Sequence, residues 1–210
     1  MRKLIGTIAA LVVLAVLAAL GVNIFRNSGP RERVKGEDGE KIIVEELSWY
    51  NHGEKQDGRI FKPAGENGDN LESLSDRPVV IFFHDPIKTD FAESMLTNLS
   101  SQGVVGYSTS CPDKSRDIET IIKKMGKEDF ACEDLIFIMA DQYSADAVVK
   151  AIIKVGNRTA GLILFEPALQ SKAGATVAQH SSEILTITSE QMGQCRSLVE
   201  DYMEIRGAFK

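Results

Sequence analysis

The chain has 210 residues, 43% of them hydrophobic, which suits one globular domain with a short appendage. The formal charge of −6 and the pI of about 5.2 argue against nucleic acid or anionic lipid as the main partner of the folded part. The cysteines are far apart, without metal-ligand spacing, and no Gly-x-Gly-x-x-Gly follows a predicted strand. The sequence therefore predicts neither a metal site nor a cofactor.

The first 25 residues predict a membrane anchor. Arg2 and Lys3 precede an uncharged run, residues 4–25, that is rich in Leu, Val and Ala. At about 1.5 Å per residue, this run is long enough to cross a hydrocarbon core of about 30 Å. The alternative is a secretory signal cleaved near Ala19-Leu20-Gly21. The basic N-terminus favours a folded domain outside the cytoplasm, in a bacterial-type envelope, although basic residues on the other flank oppose that orientation.

Residues 26–40 are charged, Gly-rich and aperiodic, and they predict a flexible stalk before a domain at 41–210. Lys41–Trp49 and Gly58–Lys62 read as strands joined by a turn-rich segment. Five short, nearly all-apolar runs follow, each typical of a parallel strand covered on both faces: Val79–Phe83, Val104–Ser108, Leu135–Met139, Gly161–Phe165 and Ile184–Thr188.

Helices with one apolar face are predicted between these strands and after the last. Phe91, Met95 and Leu99 recur at helical spacing, and a final helix spans roughly 191–206. Alternation of strand and helix predicts the α/β class, with a mostly parallel sheet and helices on both faces.

The segment Leu135–Lys150 reads as a buried strand, a tight turn and an amphipathic helix. Many hydrolases mount a nucleophile in this frame, at the centre of Gly-x-Ser-x-Gly. Here Ala140 and Ser144 flank the turn, and the central residue is Gln142. Because a primary amide does not attack a carbonyl as a hydroxyl or thiol does, the sequence has the frame without the reacting atom.

The order of the segments resembles the α/β-hydrolase family, and the likeness covers most of residues 42–206. Trp49–Pro63 is similar to the family's opening strands, and Pro78–Asp85 to its third strand with the His-Gly end. Ser101–Tyr107 is similar to the fourth strand, and Leu135–Ala147 to the nucleophile elbow. Ile184–Met192 is similar to the late strand that carries the triad acid.

The departures from the family pattern indicate lost catalysis. Gln142 stands at the nucleophile position and Met192 at a usual acid position, and no His follows Met192. Asp85 replaces the Gly after His84, where a carboxylate would repel a developing oxyanion. Only Pro167–Glu183 separates the last two predicted strands, so the resemblance implies a minimal core without a lid.

We therefore predict a membrane-anchored, non-catalytic binding or scaffold module whose partner is a protein; its small-molecule ligand stays unknown. Two alternatives remain open. One is a hydrolase, esterase-like or peptidase-like, with an atypical site built from Cys111, His84 and Glu166. The other is an unrelated Rossmann-like binding domain.

A ligand site is predicted at the carboxyl ends of the strands, where open parallel sheets bind their ligands. This edge would be acidic and would receive a cation, an amine or a basic peptide. The alternative is that its carboxylates are solvated loop residues. The predicted residues are His84, Asp85, Asp113, Asp141, Gln142, Glu166 and Glu190.

Overall fold

The computed structural model describes residues 31–36, 39–51, 54–65, 75–155, 159–167 and 184–209. These ranges contain eight strands and four α-helices, with short 3-10 helices at Pro86–Lys88 and Ser189–Gln194. The strands are β1 (Glu32–Lys35), β2 (Lys41–Asn51), β3 (Glu54–Pro63), β4 (Arg77–His84), β5 (Val105–Ser110), β6 (Ala131–Ala140), β7 (Gly161–Phe165) and β8 (Ile184–Ile187). The helices are α1 (Thr89–Ser101), α2 (Ser115–Met125), α3 (Ala145–Val155) and α4 (Cys195–Ile205).

The strands form one sheet in the order β1-β2-β3-β5-β4-β6-β7-β8. The pairs β1–β2, β2–β3 and β3–β5 are antiparallel, and the other pairs are parallel. The predicted α/β class with a mostly parallel sheet is confirmed. The antiparallel opening hairpin is the feature that distinguishes this sheet from a Rossmann-like one, so that alternative is not supported.

The sheet separates two apolar layers because successive side chains of a strand point to opposite faces. Val79, Ile81 and Phe83 of β4 pack with α2 and α3. Val80 and Phe82 pack with α1 and α4 on the other face. The central strand is therefore buried on both sides, and polar side chains of the parallel strands concentrate where those strands end.

Part of the segment predicted as a flexible stalk, residues 26–40, forms a strand in the described residues. Glu32–Lys35 forms β1, which pairs with Lys41–Val44 of β2 through a turn containing Gly39 at φ +82°. This edge strand is almost entirely exposed, so it lacks the apolar alternation by which a strand is recognised in a sequence. The predicted anchor, residues 1–25, lies outside the described residues. In the part of the chain that the structure describes, no helix is both long and apolar enough to span a membrane.

Candidate functional site

The carboxyl edge of the sheet holds the residues that the sequence placed there. His84 ends β4, Asp141 follows β6 and Glu166 follows β7. Asp113 is exposed in the loop beyond β5, and Glu190 is exposed in the 3-10 helix Ser189–Gln194 that follows β8. Within the described ranges, no group of three or more His, Cys, Asp or Glu side chains is arranged to hold a metal ion. Binding of a cation, an amine or a basic peptide at this edge stays a prediction.

Asp141 joins the two turns at the centre of this edge. Its buried carboxylate accepts the backbone N–H of Asp85 at 2.7 Å and that of Ser144 at 2.9 Å. The first bond ties the end of β4 to the turn after β6, and the second stabilises the start of α3. Both oxygens are thus bound to the backbone, which gives Asp141 a positioning role.

The turn after β6 has Gln142 at its centre, the position at which the family resemblance places the nucleophile. Gln142 is exposed, and the non-glycine residues with positive φ in the described ranges are Asp76 and Glu166. A nucleophile elbow is a sharp, strained turn that exposes the reacting atom. Here the turn is closed by ordinary hydrogen bonds to Asp141, while Met192 packs against the apolar layer of α1 and α4.

Cys111 and His84 do not form the atypical site considered from the sequence. The Cys111 side chain packs on the layer of α2 and α3, whereas the His84 ring contacts Phe82 in the opposite layer. Burial raises the pKa of the Cys111 thiol to about 11, and the charges of Asp141 and Asp113 act in the same direction. The thiol is therefore protonated at neutral pH and is a poor nucleophile.

Glu166, the third member of that alternative, is engaged elsewhere. Its carboxylate accepts the hydroxyl of Ser189 at 2.5 Å, and its backbone N–H donates to Ile187 of β8. Its φ of +48° is uncommon for a residue with a side chain. The two backbone-linked strands hold this conformation at the end of β7.

A polar cleft of about 300 Å³ opens beside the ends of β4 and β5. The β2–β3 hairpin forms one wall, and the first turns of α1 form another. Most lining side chains are hydroxyls or charged groups, and sequence reasoning found only His84 among them. The lining residues are Glu46, Ser48, Lys55, Asp57, Gly58, Arg59, His84, Thr89, Glu93, Ser108, Thr109 and Ser110.

Arg59, Glu93, Lys55 and Asp57 of the cleft form ion pairs. Arg59 donates to the carboxylates of Glu93 on α1 and Glu32 on β1. Burial lowers the pKa of the Arg59 guanidinium, but these two carboxylates outweigh it and raise that pKa overall. Hydrogen bonds from Lys55 and Ser48 hold the pKa of the Asp57 carboxyl below its usual value. The wall formed by the hairpin therefore carries ion pairs of both signs.

His84 and Ser108 form a hydrogen-bonded pair on the floor of the cleft. The Nε2 atom of His84 lies 2.8 Å from Oγ of Ser108, and Nδ1 lies 2.9 Å from the carbonyl oxygen of Asp85. A carbonyl only accepts, so in the neutral imidazole Nδ1 carries the proton and Nε2 accepts the Ser108 hydroxyl. The side chains are 2% and 3% exposed, respectively.

No protein-family model matches the sequence, and no curated protein matches it either. Among solved structures, the chain is similar to a cold-adapted esterase from an Arctic intertidal metagenomic library. The TM-score is 0.56 at 9% identity, over 86% of this chain and 98% of that one. An S-formylglutathione hydrolase from Agrobacterium tumefaciens gives 0.50 at 12% identity, over 83% of this chain and 75% of that one.

Other esterases are longer than this chain, which covers 44% and 47% of the lengths of two of them. At these low identities, the likeness concerns the fold. Together with the strand order and the opening hairpin, it shows that this protein has the α/β-hydrolase fold.

Proposed function

We propose that this protein is a membrane-tethered binding module with an α/β-hydrolase fold, in which the elbow no longer performs chemistry. The observation that carries the proposal is the turn after β6, where an exposed Gln142, whose φ is not positive, stands at the centre. The protonated Cys111 thiol offers no substitute nucleophile at that turn. Removing a triad leaves only the weak catalysis that comes from binding and the oxyanion hole.

The carboxyl edge of the sheet is where we place the partner. Ile87 and Tyr143 are 78% and 66% exposed, and they lie in the two turns that the Asp85–Asp141 bond links. A contiguous exposed apolar patch marks a protein-binding surface, and we propose that these two side chains contribute to one. The tether, residues 4–25, would hold this surface outside the cytoplasm.

Activity-based labelling tests the loss of elbow chemistry. The full-length chain, in mild detergent, is treated with a fluorophosphonate and separately with iodoacetamide, and the labelled peptides are mapped by mass spectrometry. We expect no label on Ser144 and no denaturation-sensitive label on Cys111. Stoichiometric labelling of either residue that disappears on unfolding would overturn the proposal.

Protease treatment of intact cells tests the tether. We expect the domain to sediment with the membranes and to be released by protease added from outside. Recovery of the full-length chain in the soluble fraction would contradict the tether. Protection of the membrane-bound domain from external protease would contradict its orientation.

A further inference from the structure

We propose that Ser108 and His84 form a catalytic dyad that transfers short, polar acyl groups from esters bound in the cleft. Ser108 is the nucleophile and His84 is its general base. This inference goes beyond the proposed binding function. It rests on that function only in placing a ligand at this edge of the sheet. The turn after β6 takes no part in the proposed reaction.

The first support is the geometry of the pair. An activated serine needs a base within about 2.6–3.2 Å, and the base in turn needs a group that orients it. Oγ of Ser108 and Nε2 of His84 are 2.8 Å apart. The carbonyl of Asp85 fixes the ring through Nδ1, so the nitrogen facing the hydroxyl is the one that accepts a proton.

The second support is the way in which the orienting carbonyl is held. The backbone N–H of Asp85 donates to the buried carboxylate of Asp141, and the side chain of Asp85 accepts the N–H of Ile87. The peptide that orients His84 is therefore fixed from both sides. The sequence departure at Asp85, which argues against an oxyanion hole, supplies part of this support.

The third support is the position of the pair at the floor of the cleft, where both residues are almost fully buried. His84 and Ser108 both line it, and their surroundings are polar. Arg59 lies directly opposite Ser108 in the β3–β5 register, so the two side chains share one face of the sheet. Its guanidinium lies on the same face as Ser108, where the carboxylates of Glu93 and Glu32 hold it. A volume of about 300 Å³ with polar walls suits a small polar acyl group better than a fatty one.

The proposed reaction needs only ester and water. Oγ of Ser108 bonds to the acyl carbon while its proton passes to Nε2 of His84. The ester C–O bond then breaks, and the alcohol leaves with that proton. Water next attacks the acyl-serine and gives a proton to Nε2. The acid is released, and the proton returns to Ser108.

The dyad lies on a different strand from the elbow. Ser108 belongs to β5 and pairs with Phe82 of β4, whose ring packs in the layer of α1 and α4. Ser144 and Gln142 belong to the turn after β6. Peptide mapping of a single labelling experiment therefore separates the two sites.

The test uses the full-length chain in mild detergent, a fluorophosphonate probe, and hydrolysis of p-nitrophenyl acetate. We expect the label on Ser108 and its loss in Ser108→Ala. In His84→Gln, which keeps a polar side chain but no base, labelling and hydrolysis should slow by about 100-fold or more. Ser197→Ala is the matched control, because its hydroxyl bonds to Gln194 on an exposed surface and should leave both rates unchanged.

A second variant keeps the proposal testable if Ser108→Ala or His84→Gln does not fold. Ser108→Cys keeps a nucleophile beside the imidazole, and iodoacetamide should label that position faster than Cys111. Absence of label at position 108 in both the wild type and this variant would overturn the dyad while leaving the binding proposal intact. A label that does not depend on His84 would also overturn it. A label on Ser144 would instead contradict the proposal that the turn after β6 performs no chemistry.

Discussion

Gly58→Ala should destabilise the domain, and it should also disturb the cleft, because Gly58 is one of the lining residues. A Cβ atom at this position would lie 2.3 Å from Oη of Tyr107 and 2.6 Å from the carbonyl oxygen of Ser108. Tyr107 is fully buried, and its ring stacks on Trp49 with centroids 5.0 Å apart, so it has little room to turn away. The backbone of Ser108 belongs to the sheet and moves only with β5. The added methyl group must therefore push β3 away from β5.

The expected loss follows from overpacking. Inserting a methyl group into a well-packed core costs about 1–3 kcal/mol, and contacts this short point to the upper end. The strand preference of Ala over Gly returns about 0.5–1 kcal/mol. A net loss of about 2 kcal/mol in a domain of this size lowers Tm by about 4–8 °C.

Thermal unfolding followed by tryptophan fluorescence measures this effect, because Trp49 is the single tryptophan and stacks on the displaced ring. Gly193→Ala is the control, since a Cβ there meets nothing within 4 Å and the residue's φ is not positive. We expect that variant to melt within about 2 °C of the wild type. A Gly58→Ala protein with unchanged Tm and unchanged emission would refute the packing argument.

Three further predictions concern the turns at the carboxyl edge. Asp141→Ala should lower the free energy of unfolding in urea by about 2–4 kcal/mol, because the buried N–H of Ser144 and the part-buried N–H of Asp85 lose their acceptor. Asp141→Asn should cost less, and equal losses would contradict this reasoning. Gln142→Ser should not raise p-nitrophenyl acetate hydrolysis above the wild-type rate, since residue 142 has no positive φ and the partly buried Met192 packs against the apolar layer of α1 and α4; a gain of tenfold or more would show a usable elbow. The pKa of the Cys111 thiol is about 11 in the folded chain and 9.0 ordinarily. As the pH rises, the unfolded state therefore loses this proton first, and the free energy of unfolding should fall between about pH 9 and 11. Urea titrations of the wild type and Cys111→Ser should diverge in that range, and parallel curves would argue against the shift.

The sequence by itself determined the secondary structure of the central sheet and the residues at its special positions. The strand predicted at Gly161–Phe165 has the same bounds in the structure, because a short all-apolar run is typical of a strand that is buried on both faces. The residue at the centre of the β6–α3 turn was likewise readable, since strand and helix are both local patterns. Gln142 together with Met192 and Asp85 predicted from the sequence that the elbow lacks its nucleophile.

Only the tertiary structure decided which side chains of different strands lie opposite each other. Arg59 and Ser108 are far apart in the chain, and the strand register that places them opposite each other leaves no periodic signal in either segment. The partners of His84 depend on how β4 and β5 align and on the path of the next peptide. β1 was missed for the related reason that an exposed edge strand gains its stability from backbone pairing with β2 and not from an apolar face. Local periodicity specifies elements, whereas the cleft arises from contacts between elements.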